Sequence, residues 1–460
     1  MNTPLMLRRR ALAPLLAAVL LSACAGFTPP GAGAKPPIVF VHGNGDSAAL
    51  WLTTAWRFES NGWPRERLHA VNFAYPQARD DDSQPQPGRS STADQMRQPS
   101  AEVDQLLATS GARQVVLIGN SRGGNAIRNY VANGGGAAKV SHAILGGTPN
   151  HGVWAVKDFR PGNEFNGAGA FLTGLNAPKG PNGDEVTPGV RWMTVRSDNN
   201  DKFAQPDGVW IGAKGMATQV GFDGPALKGA DNVVLPGRDH REVSYHPEAF
   251  AAAHRFITGQ APETTAVTPE ARVVLDGQVT GFTPGGSSNL PLPGARVAVY
   301  AVDPATGARR GAALVDKTVG ADGRWGPAVA DPATPLEFEL SAPGFATTHF
   351  YRGAFARSSN LVHLKPERLA DADKGAAAVV VMTRPRGYFG VPRDTVLLDG
   401  QPAPGIPTGV AGVASSKLVL RDGAGRPVVG EYRSGAINER IVGVAWPAKD
   451  NHLTVLELNP

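Results

Sequence analysis

Gln114-Val115-Val116-Leu117-Ile118-Gly119-Asn120-Ser121-Arg122-Gly123 runs from an apolar strand-like stretch into a glycine–serine–glycine turn, and a helix-like stretch, Asn125 to Ala132, follows. Strand, G-x-S-x-G and helix in that order place a serine at the tip of a sharp strand-to-helix turn. Such a turn strains the serine backbone, and glycine two residues to either side lets strand and helix pass closely. The hydroxyl then points out of the sheet. The Arg122 amide sits at a helix N-terminus, where it can donate to a developing oxyanion. Among 56 glycines the five-residue pattern alone carries little, so the flanking elements decide the reading.

A nucleophilic Ser121 makes demands elsewhere. Upstream, Pro37-Ile38-Val39-Phe40-Val41 is continuously apolar, as a fully buried parallel strand should be, and His42-Gly43-Asn44-Gly45 follows. That loop predicts an oxyanion pair from the Asn44 and Arg122 amides. His42, just before the glycine, is expected to brace the loop rather than act as a base. Downstream the chain order should be acid, then histidine. Val190 to Val195 reads as a strand, and Asp198 and Asp201 lie just beyond it, where open sheets carry function. Asp201 is preferred for its longer reach, with Asp198 as the alternative. Asn232 to Pro236 is the following strand, and Gly237-Arg238-Asp239-His240 is its loop. A helix over Pro247 to Ile257 closes the domain. His240 is the expected general base, while His142 and His151 precede the acid and so fall out of order. Between Asn150 and Gly189 a Gly-, Asn- and Pro-rich insertion carries Trp154, Phe159, Phe165 and Phe171, read as a cap lining an acyl pocket. Asp80-Asp81-Asp82 lacks the ligand spacing of a calcium loop, and no metal is expected.

From about Pro37 to Ile257 these residues resemble the bacterial lipases of the α/β-hydrolase superfamily. The resemblance rests on Val-His-Gly-Asn, Gly-Asn-Ser-Arg-Gly-Gly, Leu-Gly-Gly-Thr-Pro-Asn-His-Gly, Ser-Asp-Asn-Asn-Asp and Gly-Arg-Asp-His. It implies an α/β-hydrolase fold and esterase or triacylglycerol-lipase chemistry on an ester or lipid substrate. It implies no organic cofactor, and a Ser121, Asp201, His240 triad. Many such lipases have histidine before the serine and methionine after it; here Asn120 and Arg122 stand there, and Arg122 puts a cation beside the site. His42-Gly43-Asn44-Gly45-Asp46 also resembles a loop of extracellular polyhydroxybutyrate depolymerases, which makes a polyester the alternative substrate. A hydrolase fold that has lost activity and only binds is the non-enzymatic alternative.

At 460 residues the chain exceeds one ordinary core, and a net charge of +5 with scattered basic residues argues against a nucleic-acid partner. Arg8-Arg9-Arg10, an apolar Ala11 to Leu20 and Leu21-Ser22-Ala23-Cys24 read as a signal peptide over residues 1–23. Leu-Ser-Ala-Cys resembles the lipobox of bacterial lipoproteins. Cys24, the single cysteine, is then the acylation site, and residues 24–36 form a tether to a membrane of the cell envelope. Secretion without the anchor is the alternative address. One cysteine also excludes intrachain disulfides.

The catalytic domain is expected over 37–260, with a linker over 261–270. Beyond it short strand-like runs with Asp-Gly and Pro-Gly turns, such as Ala295 to Tyr300 and Leu336 to Leu340, predict an all-β, sandwich-like region. A module over 271–367 is followed by a second β-rich region, 376–460, which either pairs with the first or stands alone. Phe345, Phe350, Tyr351, Tyr388 and Phe389 are candidates for a binding surface, although aromatics in strands usually belong to a core.

Overall fold

A computed structural model describes Met1 and residues 35–459. The expected signal peptide, Cys24 and the tether up to residue 34 lie outside the described residues. Lys35 onward forms one compact unit.

Its first half is built on six parallel strands: β1 (Ile38–Val41), β2 (Leu68–Val71), β3 (Val115–Asn120), β4 (Val140–Gly146), β5 (Arg191–Arg196) and β6 (Asp231–Val234), in the order β2-β1-β3-β4-β5-β6. Alternation along β1 explains the two-sided core. Ile38 and Phe40 pack with Trp51, Phe58 and Phe250 on one face, while Val39 and Val41 pack with Ile127, Tyr130 and Leu117 on the other. Helices α1 (Leu52–Ser60) and α6 (Pro247–Thr258) cover the first face. The second is covered by α2 (Thr92–Ser110) and α3 (Arg122–Asn133), α2 being opened by a Ser91–Asp94 capping box. Two short helices, α4 (Ala170–Leu175) and α5 (Glu242–Tyr245), lie in the segments after β4 and β6. Strand order reverses between β1 and β3, and the loops leaving their carboxyl ends face each other there, the position that open sheets use for ligands.

The second half is all β. A seven-stranded sheet runs Val315–Thr318, Arg296–Ala301, Leu336–Ser341, Thr347–Arg352, His452–Glu457, Ala378–Thr383, Ser415–Leu420. The two expected β regions are therefore interleaved: His452–Glu457 pairs in parallel with Thr347–Arg352 on one side and Ala378–Thr383 on the other. Phe350, Tyr351, Tyr388 and Phe389 are buried, so they form core and cavity wall rather than an open binding surface. The segment 261–270 is pinned rather than loose. Asn61, which caps the end of α1, and Arg57 within it donate to the carbonyls of Thr264 and Thr265, and Glu270 accepts from Arg65 and Ser358. Trp56 of α1 donates to Ser358 O and joins the β-half core, tying the halves together.

Candidate active site

Ser121 caps α3 with φ 52° and ψ −124°, a strained conformation for a residue with a side chain. Sterics explain the glycines around it. A Cβ at Gly123 would lie 2.3 Å from Val41 O, and one at Gly119 would lie 2.8 Å from the Gly124 amide nitrogen. The elbow can therefore form only if both positions are bare. Gly43 brings the loop after β1 to the serine, its own missing Cβ position being 3.1 Å from Ser121 Cβ. Backbone hydrogen bonds in that loop run from Gly45 to Pro76 and from Asp46 to Gly43, leaving the Asn44 amide out of them. The Arg122 amide opens α3, where no intrahelical acceptor exists for it. Asn44 is fixed through its side chain, whose Oδ1 accepts from the Ala78 amide at 2.7 Å.

His240 and Asp201 meet. His240 Nδ1 lies 2.9 Å from Asp201 Oδ2, and Asp201 Oδ1 accepts from the Phe203 amide at 2.8 Å. With Nδ1 donating to the carboxylate, Nε2 is left as the acceptor; it is buried and has no hydrogen-bond partner among the described residues. Ser121 and His240 line one cavity of about 270 Å³, without a hydrogen bond between hydroxyl and Nε2. Asp198 is engaged otherwise. Its two oxygens accept from the amides of Asn200 (3.1 Å) and Gly237 (2.9 Å), which makes it the turn-former of the loop. His42 is fully buried, its Nδ1 on Gly43 O (2.9 Å) and its Nε2 accepting from the Phe73 amide (3.1 Å). Burial lowers its pKa to about 4, so it stays neutral and braces the loop. Asn120 Nδ2 donates to Ser244 Oγ (2.9 Å) and to the carbonyls of Gly146 and His240 (3.3 Å each), linking elbow and histidine loop.

Two expectations need correction. Arg122 does not place a cation in the site: its guanidinium is 1% exposed and forms a fork with Glu164, Nη2 to Oε2 at 2.6 Å. Of the four aromatics, Trp154 and Phe165 line the Ser121 cavity, while Phe159 and Phe171 do not. Phe159 packs edge-on against Trp154, ring centroids 5.7 Å apart, and takes the Trp154 Nε1–H on its carbonyl. The insertion thus folds upon itself, and one aromatic supports the other from behind. The cavity also takes wall residues from outside the insertion. Phe203, Trp210 and Tyr388 complete it, and Tyr388 belongs to the β half. Nothing local in the sequence marks these three, although Phe203 follows Asp201 closely enough to be suspected; its ring packs edge-on at 4.6 Å from His240.

A larger cavity, about 570 Å³, lies between the loop after β1 and the seven-stranded sheet, but it contains none of Ser121, Asp201 or His240. Among the described residues Glu337, Glu339 and His349 bring ligand-type atoms within 4.8 Å of one another. They belong to the seven-stranded sheet, and Arg309 already bridges the two carboxylates at 2.7 and 2.6 Å.

Residues 35–156 match the family model for class 2 lipases, and residues 271–369 match that of the lipase C-terminal domain. The matched domains are those of lipolytic ester hydrolases. No curated protein matches the chain in sequence. Among solved structures, the mature form of the Bacillus licheniformis lipase BlEst2 is 18% identical over 49% of this chain and 93% of its own, with a TM-score of 0.35. Its propeptide form is 16% identical over 89% of this chain and 93% of its own, with a TM-score of 0.34. Aspergillus fumigatus lipase B is 16% identical over 51% of this chain and 55% of its own, with a TM-score of 0.35.

Proposed function

We propose that the protein is a serine carboxylic-ester hydrolase of lipase type, working through an acyl-enzyme on Ser121. The observation that carries this reading is the Asp201–His240 hydrogen bond beside an unpartnered Nε2, in the same cavity as the strained serine. As the ester carbonyl enters, Nε2 takes the Ser121 proton and Oγ attacks the carbonyl carbon. The Asp201 carboxylate keeps the proton on Nδ1 and stabilises the imidazolium that forms. Negative charge collects on the former carbonyl oxygen, where the Asn44 and Arg122 amides are available to receive it. Collapse expels the alcohol, protonated by His240, and water then repeats the sequence to release the acid.

Apolar and aromatic wall residues, Val153, Trp154, Phe165 and Phe203 among them, suit an acyl chain in a cavity of about 270 Å³. The assay is hydrolysis of a p-nitrophenyl ester by the wild-type protein and by Ser121→Ala, with a loss on the order of 10⁴-fold expected for the variant. Equal rates would remove Ser121 from the mechanism. Release of acid from a polyhydroxybutyrate film, with none from emulsified triglyceride, would move the substrate to a polyester and leave the chemistry unchanged. Export and acylation of Cys24, with the protein held at the cell envelope, complete the reading; they rest on the sequence of residues 8–24.

A further inference from the structure

The loop that carries His240 is held from outside the catalytic half. Asp239 and Glu242 flank the His240-Arg241 pair, and both carboxylates are buried. Within the loop, Asp239 Oδ1 accepts from the amides of Arg241 (2.8 Å) and Glu242 (3.0 Å), and Glu242 Oε2 accepts from the Asp239 amide (2.8 Å). Towards the β half, Arg384 Nη1 donates to Asp239 Oδ2 at 3.1 Å and Nη2 to Glu242 Oε1 at 2.6 Å. Arg393 Nη1 donates to Glu242 Oε2 at 2.8 Å, and the Tyr388 amide donates to Asp239 Oδ2 at 2.7 Å. Burial works against the Glu242 charge, but the two arginines outweigh it and bring its carboxyl down to about 2.

The acid loop is held by the same stretch of chain. Asn200 Oδ1 accepts from the Ala411 amide at 3.0 Å, and Lys202 Nζ donates to Gly412 O at 2.9 Å while lying 3.8 Å over the Tyr388 ring. Arg241 donates to Pro385 O at 2.9 Å and pairs with Asp46 on the loop after β1. Both loops that bring Asp201 and His240 together are therefore seated on residues 384–412.

We infer that this segment of the β half completes the catalytic centre, with Arg384 and Arg393 as positioning residues for His240 and Tyr388 as part of the wall that the substrate meets. The inference rests on the reading of His240 as the base. The two flanking carboxylates set the loop backbone on either side of the imidazole, and the arginines set the carboxylates. Letting the imidazole drift by about 1 Å from its alignment with Ser121 costs about 10²-fold in rate.

The test uses the full chain and compares Arg384→Gln, Arg384→Lys and Arg393→Gln with Arg309→Gln. Arg309 makes an equally close fork to buried Glu337 in the seven-stranded sheet, away from the site. Steady-state kinetics on a p-nitrophenyl ester, the rate of Ser121 phosphonylation and thermal melting are measured on each. Arg384→Gln should lose about 10²-fold in kcat and in phosphonylation, with KM within about twofold of wild type. Arg384→Lys, which keeps the charge but not the fork, should recover part of that loss. Arg309→Gln should lower the melting temperature and keep its kcat. If Arg384→Gln does not fold, Arg393→Gln, at the rim of the cluster, carries the comparison. Folded Arg384 and Arg393 variants with wild-type kcat would overturn the inference, as would an equal kcat loss in Arg309→Gln. A wild-type enzyme insensitive to Ser121→Ala would instead remove the catalytic reading, and this inference with it.

Discussion

Replacing Arg122 with alanine separates what its amide does for chemistry from what its side chain does for the fold. The guanidinium commits all five N–H donors: Nε and Nη2 to Glu164, Nη1 to Ser90 Oγ and Pro76 O, and Nη2 again to Ser90 O. Glu164 is 3% exposed. Alanine therefore leaves a carboxylate buried without its counter-charge, a loss of about 3–5 kcal/mol. Domains hold about 5–15 kcal/mol in all, so the deficit is large. Burial already raises the Glu164 carboxyl above its ordinary pKa against the pull of Arg122, and removing Arg122 raises it further. A carboxyl whose folded pKa exceeds its unfolded value contributes its stability below the unfolded pKa and loses it as pH climbs through the folded one. The deficit of the variant should accordingly be greater at about pH 8 than at about pH 5. Guanidinium unfolding followed by tryptophan fluorescence measures it, in a cycle with Glu164→Gln and the double variant. The double variant should recover most of the loss, since no lone charge remains. Because the amide is untouched, kcat of the folded variant should stay within about tenfold of wild type. Wild-type stability in Arg122→Ala, or a kcat as low as that of Ser121→Ala, would refute this division of labour.

Two further outcomes follow from the same geometry and from the sequence of residues 8–24. Asp201→Asn should lose on the order of 10⁴-fold in kcat and Asp198→Asn less than about tenfold, measured on one ester at one pH; the reverse order would move the acid to residue 198. Metabolic labelling with palmitate should mark the wild-type protein and not Cys24→Ser, with the variant shed from the membrane fraction; equal labelling would place the acyl group elsewhere.

The elbow and the loop after β1 were legible because each follows an unbroken apolar run and is marked by glycines. Gly119 answers to the helix that follows it and Gly123 to the neighbouring strand end at Val41, and the buried strands announce themselves as unbroken apolar runs. That His240 and Asp201 could meet was legible from their places after the sixth and fifth strands, and their side chains lie 2.9 Å apart. The cap was legible only as a cap. Which of its rings faces the serine depends on how the insertion folds back, and the Trp154–Phe159 contact could not be read from spacing. Nor could the role of Tyr388, Arg384 and Arg393, which reach loops about 150 residues earlier through pairings without local periodicity. The interleaving of the two β regions has the same origin, since Thr347–Arg352 finds its neighbour about 100 residues later.

That interleaving has a consequence for biosynthesis. Until the ribosome has delivered the strand His452–Glu457, the strands at 347–352 and 378–383 each present a bare edge, the kind of surface that invites strangers to pair. A nascent chain holding the whole parallel-stranded half would still wait on this late arrival to seal the β half. The β half would gain its sealed sheet all at once, when that strand emerges, and chaperone occupancy should track that interval.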